Sequence, residues 1–232
     1  MRLFIDTGSV AEVRELAAWG VLSGATTNPS LLAREDGDPG EAIRRICEAV
    51  DGPVSAEVVS EDRETMVLQG RALCGLHEHV TVKVPFGAEG LAATARLAAE
   101  GIDVNVTLVF SAAQALLAAR AGARYVSCFL GRLDDVAVDS EAVLIEIVHA
   151  LRSEEAAEVL AASIRTPGHV VTAARLGCPV ATVPASVLRQ MLVHPLTASG
   201  IARFEADWAS RPELARWLDE LTPRPRLAVA AR

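Results

Sequence analysis

The chain has 232 residues, of which 51% are hydrophobic and 22% charged. That composition excludes a disordered polymer, and the length allows one large domain or two small ones to bury a core without disulfide or metal staples. A net charge of −8 argues against nucleic acid as a main partner, and no apolar run reaches the roughly 20 residues of a membrane helix.

Short β-branched runs alternate with Ala/Leu-rich stretches along the whole chain. The predicted strands are Arg2–Asp6, Gly24–Thr27, Pro53–Val58, His79–Val84, Asp103–Leu108, Arg124–Phe129, Glu158–Ile164 and Pro179–Val183. Each is followed by a predicted helix: Val10–Trp19, Gly40–Val50, Arg63–Leu76, Glu89–Glu100, Ala112–Ala121, Ser140–Arg152, Pro167–Leu176 and Ser186–Val193. Ser9 and Ser111 occupy capping positions, and Pro167 suits a first helical turn. Gly101, Gly122 and Gly177 fall where a helix ends on a left-handed residue. Eight such units predict an α/β fold, a (β/α)8 TIM barrel over residues 1–194, with a doubly wound open sheet as the rival. Runs such as VNVTLV and VLAASI are apolar on both faces, as strands wrapped by helices must be. Residues 195–232 read as a helical extension of the same domain. Its amphipathic stretches IARFEADW and PELARWLDEL either cover the barrel's flank or pack on a neighbouring subunit.

The N-terminus enters the first strand directly, without a signal-peptide pattern. Cys47, Cys74, Cys128 and Cys178 lie far apart, which suits reduced thiols and a cytoplasmic location. Lysine and arginine total 22, yet Lys83 is the only lysine. It stands in the strand pattern HVTVKVP. It is either the survivor of a compositional bias, a snorkelling strand-end side chain, or a reactive amine, since lysine can lose its proton when buried and arginine cannot.

In such a barrel the chemistry collects at the carboxyl ends of the strands. Those ends carry Asp6; Thr26, Thr27 and Asn28; Glu57; Lys83; Asn105 and Thr107; Ser127, Phe129 and Arg132; Ser163 and Arg165; and Thr182. Singly each has a bland reading as cap, turn residue or ion-pair partner. Together they supply a nucleophilic amine, two carboxylates for proton transfer, hydroxyl-binding amides and alcohols, and two guanidinium groups for a phosphate. This set suits Schiff-base chemistry on a sugar phosphate. An alkylamine of pKa ~10.4 is only about 0.04% neutral at pH 7; lowering it to roughly 7.5 makes about a quarter neutral, at a cost of ~4 kcal/mol. Burial and neighbouring arginine charge are the expected means. A metal-dependent aldol route would need a histidine-rich ligand set. Only His77-Glu78-His79 is clustered, at the opposite end of the barrel, so no metal is expected, and no nucleotide-cofactor motif is present.

With these residues in view, the stretches FIDTGSVAEV, GATTNPSLL, VKVP, NVTLVFSAAQA, VSCFLGRLDD, AASIRTPGHV and HPLTASGIARFEADW resemble the transaldolase family, in particular its small single-barrel branch that includes the fructose-6-phosphate aldolases. The resemblance spans about residues 3 to 208. It implies a class I Schiff-base enzyme without metal or cofactor, acting in the non-oxidative pentose phosphate pathway. It implies that Lys83 is the nucleophile and that Asp6 takes the proton from the substrate C4 hydroxyl. Glu57 and Thr107 match the pair that holds a catalytic water. Asn28 and Asn105, near Thr26, match hydroxyl ligands; Arg132, Ser163 and Arg165 match the phosphate site, with Ser127 nearby. Glu57 and Phe129 follow the transaldolases, where the aldolases usually carry Gln and Tyr. That favours transfer of a dihydroxyacetone unit between fructose 6-phosphate or sedoheptulose 7-phosphate and an aldose phosphate acceptor. Release of free dihydroxyacetone, or action on a different ketose, is the alternative. The chain departs from the family's usual pattern at Phe86-Gly87, where a Thr is usual, and at Cys128, where Pro is usual. The resemblance also implies a homo-oligomer, a pentameric ring or a decamer of two.

Overall fold

The computed structural model describes residues 1–154 and 157–222. The chain divides into two compact units, Met1–Gln190 and the segment from Met191 onward.

The first unit is a closed ring of eight parallel strands in sequence order, the (β/α)8 barrel expected from the alternation. Its strands are β1 (Arg2–Asp6), β2 (Leu22–Thr26), β3 (Val54–Glu57), β4 (Val80–Pro85), β5 (Val104–Val109), β6 (Tyr125–Phe129), β7 (Glu158–Ala162) and β8 (Val180–Pro184). The connecting helices are α1 (Val10–Ala17), α2 (Pro29–Leu32), α3 (Pro39–Ala49), α4 (Arg63–Cys74), α5 (Ala88–Ala99), α6 (Ala112–Arg120), α7 (Leu130–Asp135), α8 (Ser140–Ala150), α9 (Pro167–Arg175) and α10 (Ala185–Met191). Two short helices, α2 and α7, were not anticipated, because four to six residues are too few to display a 3.6-residue period. Both lie just beyond strand ends, between a strand and its main return helix.

Ser111 caps α6 through its side chain, accepting from Gln114 N–H, and Pro167 stands in the first turn of α9. Ser9 occupies the N-cap position of α1 but makes no capping bond with its side chain; the nearby Thr7 Oγ1 accepts from Ser9 N–H instead. Gly101, Gly122 and Gly177 adopt φ of +78°, +95° and +76° after α5, α6 and α9, as the sequence pattern requires.

Two apolar regions support the barrel. The larger fills the space between the strands and the surrounding helices, with Ile5, Leu16, Ile46, Val82, Leu97, Val106, Leu144 and Ile147 fully buried. The smaller plugs the barrel interior with Phe4, Tyr125, Leu160 and Val180. Phe4 and Tyr125 meet edge-on at 5.9 Å, and the Arg2 guanidinium lies 5.8 Å from each ring. Glu158 anchors Arg2 at 2.5 Å and Arg124 at 3.3 Å at the strands' amino ends. The interior is thus closed by an apolar plug at that end, and polar side chains crowd the other.

The strand ends at the polar side are irregular. The β5–β6 register shifts between Val106 and Val109, and Leu108 inside that break has φ +62°. β7 stops at Ala162 rather than Ile164, because Ser163 turns to φ +55°. Left-handed non-glycine residues are costly and concentrate at functional sites. The Ser163 carbonyl then accepts from Gly131 N–H at 3.0 Å, tying α7 to the end of β7. A Cβ on Gly131 would fall 2.5 Å from that same oxygen, so only glycine allows the approach.

The second unit contains α11 (Pro195–Ala209) and α12 (Pro212–Leu221), which match the two predicted amphipathic stretches; residues 223–232 of the expected extension lie outside the described residues. Their apolar side chains are open: Leu196, Phe204 and Trp217 are 74%, 73% and 54% exposed.

Gly131→Ala is expected to destabilise the barrel by about 1–3 kcal/mol, because overpacking against backbone cannot relax by a rotamer change. Urea unfolding monitored by far-UV circular dichroism checks this; an unchanged midpoint would show that α7 does not need the close approach.

Candidate active site

A cavity of about 420 Å³ opens at the carboxyl ends of the strands. Lys83 rises into it from β4, and Glu57 stands beside it from β3. The parallel register places Glu57 opposite Lys83, so the two side chains leave the sheet as neighbours on the same face. Lys83 Nζ is 2.9 Å from Glu57 Oε2 and donates to the Thr27 carbonyl at 3.3 Å. The lysine side chain is only 6% exposed. Burial of the amine agrees with the sequence reading, but its expected arginine neighbours do not: among the described residues its polar contacts are a carboxylate and a carbonyl. The Glu57 carboxylate is therefore within proton-transfer distance of the amine.

Asp6, at the end of β1, is the second carboxylate of the cavity. Thr26 Oγ1 donates to Asp6 Oδ1 at 2.7 Å, and Thr182 Oγ1 lies 2.6 Å from Thr26 Oγ1. With Thr26 donating to Asp6, Thr182 donates in turn to Thr26, a chain running across β8, β2 and β1. Burial pushes the Asp6 carboxyl above the ordinary carboxylate range; the Thr26 bond and the Lys83 charge oppose that rise, and the Glu57 charge adds to it. A carboxyl in this setting holds a proton more readily than a surface aspartate.

Thr107 Oγ1 lines the cavity, buried and without a hydrogen-bond partner among the protein groups. A buried hydroxyl in that condition costs about 1–3 kcal/mol, so it is available to a ligand or water. Phe129 forms an apolar wall, packed edge-on against Phe110 at 6.0 Å. Ser127, Arg132 and Ser163 also line the cavity.

Asn28 lines it too and caps α2 through Oδ1, which accepts from Leu31 N–H at 2.9 Å; its Nδ2 is left for other contacts. Asn105 does not reach the lining. It is fully buried beneath, donating to Ser55 Oγ at 3.0 Å and accepting from Ser127 Oγ at 2.7 Å, so it braces β3 against β6. Arg165 also lies outside the lining, held by both oxygens of Asp135. The cavity instead includes Ser30, Leu31, Arg34 and Leu108, which strand-end logic missed. Asn28-Pro29, an N-cap followed by a first-turn proline, is the sequence signal that an extra turn folds over the mouth there.

Of the two departures, Phe86 and Gly87 line a neighbouring groove with Glu61, Met66 and Glu89. Cys128 is fully buried and its thiol is pushed up to about 12 by burial, which makes it a packing residue. At the other end of the barrel, His77 Nδ1 accepts from His79 N–H at 3.1 Å. Among the described residues no group of three or more His, Cys, Asp or Glu side chains is arranged to hold a metal ion, and no helix is long and apolar enough to cross a membrane.

The arrangement pairs a buried amine with a proton acceptor at contact distance, places a second, tuned carboxylate in the same cavity, and adds an unpartnered hydroxyl. The sequence profile of the transaldolase/fructose-6-phosphate aldolase family matches residues 3–220. A protein of Thermus thermophilus named "Probable transaldolase" is 53% identical over 218 residues, covering 90% of this chain and 98% of its own. Proteins of the same name from Symbiobacterium thermophilum and Myxococcus xanthus are 52% identical over 213 residues and 50% identical over 218. These alignments cover 90% and 93% of this chain and 97% and 98% of the relatives.

Glu57→Gln is expected to lower the pH of the acid limb of kcat/KM. It removes a charge that raises the Asp6 carboxyl, so Asp6 stays ionised to lower pH. A pH–rate profile of both proteins checks the direction; an upward shift would remove Asp6 as the group behind that limb.

Proposed function

The chain is a transferase of the transaldolase/fructose-6-phosphate aldolase family, and from that premise we propose that Lys83 carries a dihydroxyacetone unit between sugar phosphates as a Schiff base. The observation that carries this is the Lys83–Glu57 contact of 2.9 Å in a cavity shared with Asp6.

Glu57 takes a proton from Lys83, and the free amine attacks the C2 ketone of fructose 6-phosphate. The carbinolamine loses its hydroxyl as water, with the proton supplied by Glu57 and the water held by Thr107. Asp6 then removes the proton from the C4 hydroxyl. The C3–C4 bond breaks, its electron pair moves into the iminium to form an enamine, and glyceraldehyde 3-phosphate departs. The enamine carbon attacks the aldehyde of erythrose 4-phosphate, and Asp6 returns its proton to the new hydroxyl. Hydrolysis of the second iminium frees Lys83 and sedoheptulose 7-phosphate.

Phe129 supports transfer over release. A phenyl wall offers the enamine no proton, so the intermediate survives until an acceptor aldehyde arrives. Asn28, Ser127, Arg132 and Ser163 fit the role of hydroxyl and phosphate ligands around the cavity. Asn105 supports the site from below by orienting Ser127.

We read the enzyme further as a cytoplasmic homo-oligomer, a pentameric ring or a decamer. Four unbonded thiols and phosphorylated substrates support the location. Exposed Leu196, Phe204 and Trp217 on α11 and α12 support burial against another copy.

Borohydride added with fructose 6-phosphate is expected to leave one reduced dihydroxyacetone unit on Lys83, located by peptide mass. Lys83 is the only lysine, so the N-terminal amine is the sole competitor. Lys83→Arg should lose both the label and more than about 1000-fold in activity; a labelled variant refutes the nucleophile. Glu57→Gln combined with Phe129→Tyr should raise dihydroxyacetone release relative to transfer, and an unchanged ratio would remove these two side chains as the determinants. Light scattering of Phe204→Glu/Trp217→Glu should give a lower mass than the parent protein.

A further inference from the structure

Besides Lys83, the cationic side chains lining the cavity are Arg132 and Arg34. Neither is in an ion pair among the described residues, whereas Arg165 pairs with Asp135. A phosphate monoester carries about −1.5 to −2 charges at pH 7 and several acceptor oxygens. A free guanidinium can pair with such a group through charge-assisted hydrogen bonds.

We propose that Arg34 is the second phosphate-pairing cation of this site and sets its preference for phosphorylated substrates. The inference deepens the transfer reading and rests on it. Arg34 follows β2 and Arg132 follows β6, which stand four strands apart in an eight-strand ring and so on opposite walls. β4, which carries Lys83, lies midway between them. A sugar phosphate extending outward from the amine therefore has a guanidinium on either side.

The arginine is carried by a supported backbone. Asn28 caps α2, and Arg34 N–H donates to the Leu31 carbonyl at 3.2 Å. α2 rests directly on Gly8: a Cβ there would lie 2.9 Å from the Leu31 carbonyl carbon and oxygen. The turn is thus seated on the β1–α1 connection, so a side chain well beyond the end of β2 still reaches the mouth. Arg34 is exposed, which suits a group that meets ligands as they arrive.

The test compares kcat/KM for erythrose 4-phosphate and for unphosphorylated erythrose at saturating donor, in the parent, Arg34→Gln and Arg34→Lys. Arg34 is exposed, so neither substitution threatens folding. Arg34→Gln should lower the phosphorylated-to-unphosphorylated ratio about tenfold, with Arg34→Lys recovering part of the loss as a point charge. An unchanged ratio, or an equal loss for both acceptors, overturns the assignment. Borohydride labelling of Lys83 is run in parallel: labelled protein with an unchanged ratio overturns only the role of Arg34, whereas absent labelling of the parent overturns the Schiff-base reading beneath it.

Discussion

The parallel pairing of β3 with β4 governs the rest of the site. It sets Glu57 opposite Lys83, and a side-chain period of two leaves both on the inner face. A one-residue slip of either strand would send one partner into the helical shell. Burying two opposite charges is unfavourable unless each finds the other, and exchanging such a pair for packed apolar groups is often neutral or stabilising. Its position over a cavity rather than within the core therefore speaks for chemistry over stability.

The barrel makes this juxtaposition possible by separating two interiors. Phe4, Tyr125, Leu160 and Val180 plug the amino end, with Arg2, Arg124 and Glu158 as its lid. Above them lies a polar layer in which Asn105 links Ser55 to Ser127, and above that the cavity groups. The hydroxyl chain Thr182–Thr26–Asp6 closes the ring on the other side. Each of these polar groups has a partner, whereas the Thr107 hydroxyl, facing the cavity, has none.

Strain and close contacts concentrate at the same rim. Leu108 and Ser163 take left-handed conformations at the ends of β5 and β7, and Gly131 admits the Ser163 carbonyl. Gly8 similarly admits α2. These devices bend short segments over the mouth and bring Ser163, Arg132 and Arg34 to a cavity that straight strands would leave open.

Much of this was legible along the chain. The alternation of β-branched and Ala/Leu-rich runs marked eight βα units, because apolar periodicity is a local property, and the strand ends named Asp6, Glu57, Lys83 and Thr107 as candidates; closure of the ring over an open sheet was seen in the tertiary structure. The branch preference rested on Glu57 and Phe129, two side chains whose chemistry is plain from their identity. What required tertiary structure was contact across the ring. Only the closed barrel decided that Lys83 faces a carboxylate rather than an arginine, that Asn105 braces the site from below, and that Asp135 occupies Arg165 while Arg34 reaches the mouth. Those outcomes depend on register and on turns too short to carry a periodic signal, so no single stretch of sequence contains them.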